Sequence, residues 1–231
     1  MYGGRVALAF SGGKDSVYTA WLLSSQGFDL ILFTIQPESD GSWIFHYPNS
    51  AYTWMQSEAL GLPWIKRRSV VGEREELESL RGVVDEAIRI WDIGALASGV
   101  VYSWYQMRIF QLISDEFGLK LYTPLWGKDP LKLLLEEIES GMEIIVTSVA
   151  AEGLGEDWLG VKLDYDSIDK LRMLSLRYGL SPIGEGGEME TFVVDAPFFK
   201  YRIHIKRSRR VWRGVSGYLD IEEATLHPKL L

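Results

Sequence analysis

Val6-Ala7-Leu8-Ala9-Phe10-Ser11-Gly12-Gly13-Lys14-Asp15-Ser16 decides how the N-terminal half of this chain folds. Five apolar residues without alternation read as a strand buried on both faces, and the amphipathic stretch Val17–Leu23 reads as a helix. The polar segment between them must therefore turn a strand into a helix. Adjacent glycines let the backbone bend so that successive N–H groups converge on an anion at the helix N-terminus. The Ser11 and Ser16 hydroxyls add donors, Lys14 adds compensating charge, and Asp15 is a carboxylate suited to Mg²⁺. Neither the GxxxxGK[ST] nor the GxGxxG spacing is present. A glycine-rich turn that binds nothing is the plain alternative.

The pattern repeats beyond the loop. Leu30–Ile35 is a second buried strand, Ala51–Leu60 a helix stopped by Gly61, and Gly72–Trp91 a long helix with acids in its first turn. Ala95–Val101 is a third buried run, Ser103–Phe117 a helix closed by Gly118, and Lys120–Thr123 a short strand. Buried runs separated by helices indicate parallel strands joined by crossovers. After Pro124-Leu125-Trp126-Gly127 the pattern changes. Pro130–Ser140 and Asp166–Tyr178 read as helices and Glu143–Val149 as a strand. Thr191–Val194, Tyr201–Lys206, Val211–Arg213 and Tyr218–Ala224 resemble an antiparallel meander. A soft domain boundary falls near residue 125.

Composition narrows the chemistry. The 231 residues include no cysteine, which removes disulfides, thiolate metal sites, iron–sulfur clusters and thiol nucleophiles. Apolar residues make up 47% and charged residues 24%, the balance of a globular protein. No stretch approaches the roughly 18 apolar residues of a membrane span. Met1-Tyr2-Gly3-Gly4-Arg5 lacks the form of a signal peptide, so a cytoplasmic location is expected. A net charge of −8 argues against stable, general nucleic-acid binding. Residues 200–213 nevertheless carry seven Lys and Arg and no acid, with Tyr201, Ile203 and Ile205 alternating against Arg202, His204 and Lys206. Such a basic strand pair could dock a macromolecule, line the interface of a homo-oligomer, or simply be solvated.

Ser11–Ser16 matches the SGGxDS signature of the PP-loop ATP pyrophosphatases. Further stretches extend the likeness: FHYPN (45–49), GVVYSWYQ (99–106), YTPLWGKD (122–129), VAAEGLGEDWLG (149–160) and EGGEMETFVVDAP (185–197). Over nearly its whole length the chain resembles the diphthine–ammonia ligase family. That resemblance implies a Rossmann-like (HUP-type) PP-loop domain over 1–125 and a smaller C-terminal α/β acceptor domain over 126–231. The implied reaction amidates the carboxylate of diphthine, a modified histidine of translation elongation factor 2, using ammonia, ATP and Mg²⁺. One departure stands out: Met107-Arg108-Ile109-Phe110-Gln111 has a single charge where the family helix usually carries more basic residues and a glutamate.

On this reading Ser11, Gly12, Gly13, Lys14, Asp15 and Ser16 hold the phosphates, with Asp15 on the metal. Phe33, Thr34 and His46 lie against the nucleotide, with Gly99 near the ribose. The acidic loop Glu185-Gly186-Gly187-Glu188-Met189-Glu190 joins Tyr105, Gln106 and Trp126 on the acceptor side. Lys14, Asp15, Glu185 and Glu188 are the candidate catalytic groups. Trp91 and Trp104 are assigned to the core or an interface. Two rivals stay open: another PP-loop ligase acting on a small molecule or tRNA base, and a nucleotide-binding protein without turnover.

Overall fold

A strand sandwiched between two helical layers must be apolar on both faces, and β1 (Arg5–Ala9) and β2 (Asp29–Pro37) meet that demand. Val6, Ala7, Leu8, Leu30, Ile31, Leu32 and Phe33 are all at most 2% exposed. The computed structural model describes residues 4–38 and 49–229. Around these two strands, β3 (Trp64–Ser69), β4 (Ala95–Ala97) and β5 (Lys120–Tyr122) complete a fully parallel sheet of order β3-β2-β1-β4-β5. The order reverses between β1 and β4, so a crevice opens at their carboxyl ends.

Helix α1 (Lys14–Ser25) covers one face, while α3 (Glu73–Trp91) and α4 (Trp104–Phe117) cover the other. Helix α2 (Thr53–Leu60) connects β2 to β3. Gly61, Gly118 and Gly179 end their helices in the left-handed conformation, as the sequence predicts. No helix among the described residues is long and apolar enough to cross a membrane.

The remaining chain forms α5 (Pro130–Glu139), β6 (Glu143–Val149), α6 (Tyr165–Tyr178), β7 (Met189–Asp195), β8 (Tyr201–Trp212) and β9 (Gly217–Pro228). Its strands make an antiparallel sheet of order β7-β6-β9-β8. One apolar core joins the two sheets. Val6, Leu8 and Leu32 share it with Leu133 and Leu134 of α5, Ile144 and Val146 of β6, and Val193 of β7.

Two elements differ from the sequence reading. No strand is expected at Trp64–Ser69, because Lys66, Arg67 and Arg68 interrupt its apolar run; as the sheet's edge strand, β3 needs only Ile65 and Ser69 buried. Tyr201–Lys206 and Val211–Arg213 are expected as separate strands, but β8 runs unbroken to Trp212. Its cations face the acids of β9: Arg207 Nε lies 2.6 Å from Glu222, Arg209 Nη2 2.9 Å from Asp220, and Lys206 Nζ 3.3 Å from Glu223. Arg202 pairs with Glu143 and Asp195. The pairs between β8 and β9 set opposite charges across a long edge hairpin, and Arg202 reaches to β6 and β7.

Because α5 and β1 share one core, both halves should unfold together. Far-UV circular dichroism and tryptophan emission are expected to trace coincident urea transitions, and Leu134→Ala should shift both by about 3 kcal/mol.

Candidate active site

The loop after β1 takes its shape from one residue of positive φ and from partners far away in sequence. Gly12 sits at φ +81°, and a Cβ there would strike the Gln56 amide. Its carbonyl accepts from Gln56 Nε2 at 2.7 Å and from Val193 N at 3.1 Å. The same Gln56 Nε2 donates to Val193 O at 2.9 Å, so a fully buried amide of α2 ties the loop to β7. Thr191 Oγ1 accepts from Lys14 N at 3.1 Å. Inside the loop, Ser16 Oγ accepts from Gly12 N at 3.1 Å and donates to Gly13 O at 2.9 Å, with Ser11 Oγ 3.2 Å away.

Lys14 does not reach toward the cleft. Its side chain, 1% exposed, runs beneath the loop, where Nζ lies 2.7 Å from both Asp15 oxygens and 3.6 Å from Glu137 of α5. Burial disfavours the ammonium, but the Asp15 and Glu137 carboxylates outweigh it and hold the Lys14 pKa above its ordinary value. Glu137 is 0% exposed, and burial pushes its carboxyl well above the usual carboxylate range. Asp15, with a side chain 31% exposed, faces both this cluster and the cleft.

The cleft lies at the carboxyl ends of β1, β2 and β4. Ser11, Gly13, Asp15 and Ser16 form its floor, Phe33 and Thr34 one side, and Ser98, Gly99 and Val101 the other. Gln106 of α4 closes that second side, and Glu185, Met189, Glu190 and Thr191 approach from the C-terminal half. The first turn of α1 therefore points its positive end into the cleft, as an anion site requires. Thr34 Oγ1 donates to Phe10 O at 2.7 Å and accepts from Trp64 Nε1 at 2.9 Å. Gly99 abuts the loop so closely that a Cβ would sit 2.9 Å from the Asp15 carbonyl carbon and oxygen.

The acidic loop divides its work. The Glu185 carboxylate accepts from Val101 N at 2.7 Å, from Ser103 N at 3.0 Å and from Tyr102 N between them. One side chain thus fills an N–H nest at the start of α4 and bolts the two halves together. Glu188 turns away from the cleft: Oε1 accepts from Ser181 N at 3.1 Å, while Oε2 is buried without a hydrogen-bond partner. Glu190 faces the cleft, and Gly186 and Gly187 lie exposed on the turn.

The structure therefore gathers Ser11, Gly13, Asp15, Ser16, Phe33, Thr34, Gly99, Gln106, Glu185 and Glu190 around one cavity. The cavity lining does not include Gly12, Lys14, Tyr105, Trp126, Gly186, Gly187 or Glu188. Tyr105 packs against the core of the first sheet. His46 and most of the FHYPN loop lie outside the described residues. Trp91 packs against the core, whereas Trp104 is 69% exposed and so belongs to no core, which leaves the interface half of its reading. At the first position of α4 its ring points away from the sheet.

Sequence reasoning passes over Thr191, Gln56 and Glu137. Glu137 carries a readable signal, since it follows Leu133 and Leu134 by four and three residues and so falls on the apolar face of α5. Gln56 sits in a helix that buries Thr53 and Ser57 as well, so no apolar stripe marks its inner face.

Two substitutions test this geometry. Gly99→Ala should weaken ATP binding at least about tenfold in calorimetry, because the added carbon displaces the start of α1. Lys14→Met strands carboxylates beneath the loop and should cost about 3 kcal/mol in urea unfolding; adding Glu137→Leu should restore most of that loss.

Comparison with known proteins places the chain in a family. Residues 4–121 match the diphthamide synthase N-terminal domain and residues 129–226 match the diphthamide synthase C-terminal domain. The diphthine–ammonia ligase of Schizosaccharomyces pombe is 33% identical over 86% of this chain, which spans 36% of that longer protein. The diphthine–ammonia ligases of Rattus norvegicus and Danio rerio are each 30% identical over 94% of the chain, which covers 88% and 92% of them. With both domains matched in order and two relatives aligned over most of their own length, the chain belongs to the diphthamide synthase family.

Proposed function

We propose that this protein is a diphthine–ammonia ligase, which uses ATP to turn the carboxylate of diphthine into an amide and releases AMP and pyrophosphate. The observation that carries the proposal is the cleft itself: a helix N-terminus and Asp15 form its floor, and carboxylates of the second half form its wall. On this reading residues 1–125 bind ATP and residues 126–231 supply the acceptor side.

A carboxylate is a poor electrophile, so one of its oxygens must first attack the α-phosphorus of ATP, breaking the bond to pyrophosphate. The floor of the cleft serves that step. The α1 dipole and the loop N–H groups stabilise charge that develops on the phosphates. Asp15 is the carboxylate that would hold Mg²⁺, a cation bound through one or two carboxylates and the phosphates, and one that neutralises pyrophosphate charge. Lys14 acts from beneath, balancing Asp15 instead of touching the nucleotide. Phe33 and Thr34 border the adenine side, and Gly99 gives the ribose room.

Ammonia then attacks the acyl carbon, AMP departs with the former carboxylate oxygen, and a proton leaves the nitrogen. Glu190 is placed to accept that proton or to hold ammonium before it reacts. Glu185, committed to three N–H groups, positions the wall of the cleft. Gln106 supplies an amide at the acceptor edge. The acceptor protein is elongation factor 2, and a cytoplasmic enzyme is the corollary.

The test is incubation with ATP, ammonium and diphthine-bearing elongation factor 2. Pyrophosphate release should require the modified factor; release that ignores it, or needs RNA, overturns the reading. Asp15→Ala should abolish release. Glu190→Gln should leave ATP binding intact and slow amidation at least about a hundredfold, with a smaller effect from Glu188→Gln.

A further inference from the structure

An exposed tryptophan beside a polar cleft is the least explained feature of the surface. Trp104 is 69% exposed although it opens α4, and its ring meets Trp126 edge-to-face, with centroids 4.9 Å apart and planes at 79°. Tyr102, 48% exposed, joins them: its hydroxyl lies 3.4 Å from the carbonyl of Gly127, the residue after Trp126. The three rings follow the carboxyl ends of two neighbouring strands, β4 and β5, on segments next to the cleft, although none of them lines the cavity itself. Val101, one residue before Tyr102, and Gln106, two residues after Trp104, both line the cavity.

A carboxylate backs this aromatic group. Glu185 accepts from Tyr102 N and Ser103 N, so its charge is fixed against the backbone segment that carries Tyr102 and Trp104. Aromatic faces beside a fixed anion suit one chemistry in particular. A quaternary ammonium has no N–H to donate, cannot be recognised by hydrogen bonds, and is held by ring quadrupoles and a nearby negative field. Tyr105, the other aromatic candidate of this segment, is turned inward against the core and cannot take part.

Resting on the ligase reading above, we propose that Trp104, Trp126 and Tyr102 form the subsite that holds the quaternary ammonium of the acceptor. Diphthine carries that cation next to the carboxylate to be activated, so a site for it must adjoin the reacting centre. The subsite would thereby select fully methylated acceptor over its unmethylated precursor and orient the carboxylate toward the α-phosphate. Trp104 is a binding and specificity residue on this account and takes no part in bond making.

The experiment compares wild type, Trp104→Ala and Trp104→Phe with diphthine-bearing elongation factor 2, and titrates each with tetramethylammonium. Trp104→Ala should raise the KM for the factor about tenfold, move kcat less, and leave ATP affinity unchanged; Trp104→Phe should recover most of the loss. Tetramethylammonium should quench wild-type tryptophan emission and compete with the factor, and it should do neither in Trp104→Ala. An unchanged KM in Trp104→Ala, or a loss of ATP affinity and melting temperature together, overturns the subsite. If wild type fails to amidate the factor, the ligase reading falls, and the tetramethylammonium quench still decides whether the rings bind the cation.

Discussion

The carbonyl of Gly12 is the point on which the site depends. A loop that offers its N–H groups to an anion has to satisfy its own carbonyls elsewhere. Here the partners are Gln56 of α2 and the backbone of Val193 in β7, while Thr191 takes the N–H of Lys14. The first sheet alone therefore does not supply all the partners that hold the glycine loop in shape. Elements from both halves of the chain complete it, and the apolar core shared by α1, α5 and β6 keeps them in place.

The same physical device serves the protein twice. Unpaired N–H groups at a helix N-terminus attract an anion, and at α1 they face the open cleft. At α4 the equivalent place is filled by the protein's own Glu185, which converts a binding feature into a fastening between the halves. Charge is likewise handled below the surface. Lys14 balances Asp15 and lies beside Glu137 in a region almost without solvent, so the lysine of the motif holds the loop from behind. The basic stretch of β8 follows the same logic outside, where β9 answers most of it with acids.

Much of the architecture was legible in the sequence because local rules suffice for it. Val6–Phe10 and Leu30–Ile35 are apolar without alternation, which only a strand covered on both faces tolerates, and the glycines that stop α2, α4 and α6 stand where left-handed caps are needed. Edge elements escaped the reading. Strand β3 buries so few of its residues that its lysine and arginines mask it, and β8 reads as two pieces because Ser208, Arg209 and Arg210 are solvated on both sides of the hairpin edge.

What the sequence determined by itself is the chemistry available: a strand-to-helix turn built from adjacent glycines, no thiol anywhere, and a pattern of parallel strands that puts the turn at a carboxyl end. These follow from covalent spacing and side-chain periodicity, which act over a few residues. Which way each functional side chain points was decided only by the tertiary structure. Lys14 turns inward, Glu185 is spent on backbone N–H groups 82 to 84 residues away, and Trp104 turns outward beside Trp126. Direction depends on which distant element supplies the partner, as when Thr191 meets Lys14 across 177 residues, and such pairings arise only when the two sheets close on their common core.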